Sequence, residues 1–188
     1  MEIGTFFHAQ AINNLWANYR LLSVCGLLTP EEQNAPRTGY FPSIIKTLNH
    51  ILTVDWFYVS ALEGACIGYT AFEPEFPFHD LGDLHREQEA VDRRLITVCD
   101  APGSKNFNTE ISLIRDTGTQ IEQAGRTLLH LFQHQIHHRG QVHAMLSGTS
   151  AAPPQLDEFF LSDPKEQALR SHDFAELGLS ETQIWPKA

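Results

Sequence analysis

The sequence predicts an all-α four-helix bundle with a C-terminal extension. Two observations carry this. Four long segments repeat apolar residues every three or four positions, and connections of middle length join them. The chain also has 188 residues, 42% hydrophobic and 10% aromatic, which suits one domain with a real core and excludes a disordered chain.

The first helix is expected from Ile3 to Leu28, on the spacing of Phe7, Ile12, Leu15, Trp16, Tyr19, Leu22 and Cys25. Thr29-Pro30-Glu31-Glu32 reads as a capping box with proline at the first helical position. It starts only a short turn, since Pro36, Gly39 and Pro42 follow. Ser43 is a plausible N-cap for the second helix, which runs to Glu63 and closes at Gly64. That helix is apolar almost all round, which suits a central position, and His50 lies in its middle.

Ala65 to Pro77 reads as a loop whose Phe72 and Phe76 either pack on the end of the bundle or cover a pocket. The third helix spans Asp80 to Asp100, with a narrow stripe of Leu84, Val91, Leu95 and Val98, and stops at Ala101-Pro102-Gly103-Ser104. Phe107 to Gln123 alternates weakly around Asp116-Thr117-Gly118, so a hairpin is possible. The fourth helix is expected from Gly125 to Leu146, ended by Gly148. A tail follows Ala151-Ala152-Pro153-Pro154, with one helix around Asp157 to Arg170. The domains are then 1–160 for the bundle and 161–188 for the extension.

Composition narrows function. Acidic residues outnumber basic ones by 23 to 13, a net charge of −10. This argues against nucleic acid as a partner, because such binding rests on Lys and Arg neutralising phosphates. No apolar run approaches a membrane span, and the N-terminus shows neither a basic leader nor a cleavage site. Cys25, Cys66 and Cys99 are far apart and odd in number, which fits reduced thiols in a cytoplasmic protein.

The candidate chemistry lies on the fourth helix. His130, His134, His137, His138 and His143 fall within fourteen positions. At about 100° per residue, His134 and His138 lie about 40° apart, beside the core-facing stripe. An i, i+4 pair of imidazoles can hold one divalent cation. The alternative is two buried histidines bonded to neighbours. His50 is the best third ligand, because apolar residues surround it; its alternative is a satisfied core histidine. His143 points nearly opposite and reads as surface. His130 and His137 sit just off the pair's face, as outer supports or surface residues.

From Arg126 to Leu146 there is no carboxylate, which removes both the His-Glu-x-x-His base and the Glu-x-x-His di-iron pattern. A mononuclear nitrogen site remains. Zinc or nickel is expected ahead of manganese or iron. Three neutral imidazoles would leave the cation's charge available to acidify a bound water or thiol. Gly140 suggests close approach by another helix, since glycine costs about 1 kcal/mol in a helix interior. Arg139 reads as a salt bridge or helix-end contact. Asp55 and Tyr58 follow His50, and their reach is open.

These pieces resemble a family. His134-x-x-x-His138-Arg139-Gly140-Gln141, with Leu-x-His50-Ile-Leu and Asn14-Leu15-Trp16-Ala17-Asn18 before it, is similar to the DinB/YfiT-like metal-dependent proteins from about residue 1 to 160. Pro153-Pro154-x-Leu156-Asp157 resembles the family's ending. The resemblance implies up-down-down-up helix order, a homodimer, and a divalent metal on His50, His134 and His138. Some relatives are thiol-dependent isomerases and S-transferases, so it also implies a low-molecular-weight thiol and a small electrophilic substrate. Three functions compete: an enzyme in which the metal activates thiol or water, a metal- or ligand-binding protein without turnover, and a purely structural bundle.

Overall fold

The computed structural model describes residues 3–100 and 107–185. The expected stop at Ala101-Pro102-Gly103-Ser104 lies outside the described residues. The fold is predominantly helical: α1 Ile3–Cys25, α2 Pro30–Asn34, α3 Ile44–Leu62, α4 Leu81–Asp100, α5 Ala124–Leu146, α6 Pro164–Leu177 and α7 Glu181–Ile184. A hairpin joins α4 to α5, with β1 Glu110–Arg115 and β2 Gly118–Gln123.

Helix ends follow local chemistry. Helix α1 stops at Cys25, short of the expected Leu28, because the chain turns at Gly26 and Leu27. The Thr29 hydroxyl accepts from the Glu32 amide while Glu32 accepts from the Thr29 amide, the reciprocal cap that the sequence indicated. Ser43 caps α3 by accepting from Lys46 N. The tail helix begins at Pro164, later than expected, because Asp163 caps it with both Lys165 and Glu166 amides. It ends at Gly178, whose φ of 67° is the left-handed geometry of a C-terminal glycine.

The four long helices pack in a ring: α1 against α4 and α5, and α3 against α4 and α5. Cross-contacts give their directions. Tyr19 meets His85 and His8 meets Asp100, so α1 and α4 are antiparallel. Asp55 meets Gln88 and Glu63 meets Arg94, so α3 and α4 run the same way. Tyr58 faces His130 while His50 faces His134, so α3 and α5 are antiparallel. Between these helices lies an apolar cluster built mostly from α1, α3, α4 and α5, including Leu21, Leu52, Leu84 and Leu131.

The hairpin pairs Glu110 with Gln123 through Arg115 with Gly118. Its entry lies hard against the start of α5. A Cβ on Gly125 would fall 2.9 Å from that of Phe107, so this close approach requires glycine. In the segment between α3 and α4, which forms a 3-10 turn over Gly68–Phe72, Phe72 packs on Phe57 at 5.3 Å, the end-of-bundle packing that was one of the two expectations. The tail folds back on α1. Trp16 packs at a tilt on Phe159 at 5.1 Å and donates to Asp173, within a second apolar cluster that holds Phe174, Leu177 and Ile184. Among the described residues no helix is long and apolar enough to cross a membrane.

Candidate metal centre

Helix α3 carries His50 and the antiparallel α5 carries His134 and His138 one turn apart. Their packing brings the three rings together. Ring centroids stand 4.3 Å apart for His134 and His138, 4.6 Å for His50 and His138, and 4.9 Å for His50 and His134. One nitrogen from each ring lies within 4.8 Å of the others. Among the described residues this is the one histidine, cysteine or carboxylate group with such spacing.

The electrostatics keep the rings neutral. Burial, and then the neighbouring His138, push His50 down to about 4. Burial and the adjacent histidines push His134 down to about 3. Burial also lowers His138, against a raising hydrogen bond to Gln141. A neutral imidazole is the form that ligates metal.

The donor set fits a borderline divalent cation. His50 Nε2 and His134 Nε2 lie 3.0 Å apart. Two nitrogens about 2.0–2.1 Å from one tetrahedral zinc would stand roughly 3.3 Å apart, so a few tenths of an ångström separate the two arrangements. His134 Nδ1 is buried and has no hydrogen-bond partner among the described residues, unlike His138 Nδ1.

Two supporting residues escaped the sequence reading. Phe41, from the loop before α3, stacks on His50 at 4.1 Å and meets His138 edge-on at 5.9 Å. Its only signal was an aromatic between Gly39 and Pro42. Gln141 stands one turn after His138, with Oε1 2.9 Å from His138 Nδ1 and Nε2 3.0 Å from His137 Nε2. With the amide oriented this way, the carbonyl accepts from His138 Nδ1–H and the NH2 donates to His137 Nε2. That leaves His138 Nε2 unprotonated and available.

Other expectations need correction. His143 is half-buried and its Nε2 lies 2.9 Å from the Pro154 carbonyl oxygen, so it ties α5 to the tail segment. Arg139 is neither a salt bridge nor a helix-end contact. It is buried, and donates to the side-chain oxygens of Asn14, Asn18 and Gln135. A Cβ on Gly140 would meet nothing within 4 Å, so among the described residues no helix packs closely against it. Exposed His137 reaches the cluster through Gln141, while His130 packs on Tyr58 at 5.2 Å. The Tyr58 hydroxyl accepts from Arg115.

Asp55 points into a buried polar network rather than into the three-histidine group. It accepts from Gln135 and Gln88; Gln88 also donates to Asp92, which accepts from Asn14 and Asn18. Burial raises both carboxyls, and each neighbours the Arg139 charge. Asn14, Asn18 and Arg139, which carried part of the resemblance, therefore meet one another in the core.

The chain matches the DinB family over residues 9–169. It belongs to the DinB family. No curated protein matches the chain. The match begins within α1 and ends within α6, so it takes in both helices that carry the three histidines. For a DinB protein the clustered rings and the buried Asn–Asp–Arg network are separate features: the first offers ligands and the second fixes how the helices pack.

Proposed function

We propose that this DinB protein is an up-down-down-up four-helix bundle over residues 1–160, with residues 161–188 as an extension. His50, His134 and His138 hold one divalent cation in it, zinc or nickel ahead of manganese or iron. The convergence of three neutral imidazole nitrogens within 4.8 Å carries the reading. The ring of paired helices and their directions support the topology.

A cation there would supply Lewis acidity, lowering the pKa of a thiol or water so that it attacks a small electrophilic substrate. The chain's own residues prepare this. Gln141 fixes the tautomer of His138, and Phe41 holds the plane of His50. Half-buried His50 and His134 leave the centre open toward the surface. The protein acts as a cytoplasmic homodimer on a small molecule, with a low-molecular-weight thiol as co-substrate. A second reading, metal or ligand binding without turnover, is favoured by the lack of a carboxylate base in the three-histidine group.

The test is metal-loaded protein, with His134→Ala and His138→Ala beside it, assayed against thiol-plus-electrophile, ester and amide panels. Turnover that both variants lose supports the enzyme. Stoichiometric metal without turnover supports the second reading. Metal content unchanged in both variants overturns the site.

A further inference from the structure

A cavity lies across α5 from His50, His134 and His138, with His143 in its own lining. It has a volume of about 660 Å³ and opens between α1, α5 and the segment from Pro153 to Phe160. That size is ordinary for a small-molecule site. Ile136, Phe159 and Phe160 give it an apolar wall.

Its lining includes Arg139, only 4% exposed. All three hydrogen bonds of that side chain leave from Nη1, and they end on amide oxygens. Nε and Nη2 bond no described residue, and neither is enclosed without a partner. Arg139 lines the cavity, and this edge is the part of its guanidinium without a partner among the described residues. Asp55 and Asp92 lie near Arg139, and burial holds both carboxyls toward their neutral form. Gly140 explains itself here. It lines the cavity, and its missing side chain keeps that space empty at a cost to the helix. At the rim, Asp157 accepts from Gln155 and places negative charge near the mouth. A ligand with a single acidic end meets Arg139 and the apolar wall and carries no second negative charge toward Asp157.

We propose that this cavity is a binding site for a small amphipathic monocarboxylate, distinct from the histidine centre. The acid group pairs with the Nε and Nη2 edge of Arg139, and the apolar body lies on Ile136, Phe159 and Phe160. Arginine suits this role, because its planar fork accepts a carboxylate on two donors.

The probes are 3-phenylpropanoate and its amide, titrated by calorimetry into metal-stripped protein and into His134→Ala. Removing the metal prevents carboxylate binding at the histidines. The carboxylate should bind both forms, with the amide about tenfold weaker or more, since it loses a charged hydrogen bond. Gly140→Leu fills the cavity from a position with free space around it, and should abolish binding while the helical circular dichroism is kept. Ile136→Glu removes part of the apolar wall and adds a negative charge, so it should weaken both probes and the carboxylate more than the amide. Equal binding of acid and amide, or binding unchanged in Gly140→Leu, overturns the proposal. So does failure of both probes to bind, including the case where a second copy of the chain covers this face and Gly140→Leu yields monomer.

Discussion

Replacing Gln141 by Met keeps length and helix propensity but removes the amide that orients His138. In the wild type, His138 Nδ1 and Gln141 Oε1 are 2.9 Å apart. A neutral hydrogen bond contributes about 0.5–1.5 kcal/mol, and 1.4 kcal/mol is tenfold in affinity. Partners of metal-bound histidines are worth about 10–100-fold. Gln141 is half-exposed, so water replaces part of what is lost, and the expected weakening is about tenfold. Zinc competition against a chromophoric chelator at neutral pH measures it. Gln141→Glu should hold zinc at least as tightly as wild type, because a carboxylate accepts more strongly from Nδ1–H. An unchanged dissociation constant in Gln141→Met, with the fold intact, would refute the idea that this amide prepares the ligand.

Phe41→Ala removes a buried ring stacked on His50 and should cost about 3 kcal/mol in urea unfolding, with weaker zinc binding; Phe41→Leu should lose less of both. Arg139→Met strips the guanidinium from its three amide partners and leaves their buried oxygens unpaired, and should cost about 1–3 kcal/mol by the same assay. In EDTA, acid should destabilise the protein through the histidines. His50 and His134 are lowered in the folded state, so their contribution is full above about 6.5 and is lost as pH falls toward about 4 and 3. The raised Asp55 and Asp92 act oppositely, since their contribution is full below about 3.8 and is lost as pH rises. Between pH 8 and 5, wild type should therefore lose more of its urea midpoint than His134→Leu, and an equal loss would contradict the assignment.

The three histidines were legible because each had a local signal. His134 and His138 share a helix face by spacing alone, and His50 sits in a helix with almost no polar surface. Phe41 had no such signal: its loop has no period, and only the fold returns it to α3. Gln141 was visible in the motif, yet its role depends on which ring nitrogen it meets. Asp55 and Asp92 lie on separate helices, and no spacing rule pairs them through Gln88. Arg139 and Gly140 were misread for one reason. Periodicity places a residue on a face but does not say whether a neighbour fills the space beyond it. The late start of α6 was legible in Asp163-Pro164, a cap and first-turn proline that the tail's apolar pattern obscured.

The most direct test of the metal centre is anomalous scattering from crystals of protein purified without chelator. The account predicts one peak per chain, about 2.0–2.2 Å from a nitrogen each of His50, His134 and His138. A chain with full-occupancy metal elsewhere, or a histidine cluster without metal in zinc-soaked crystals, would contradict it.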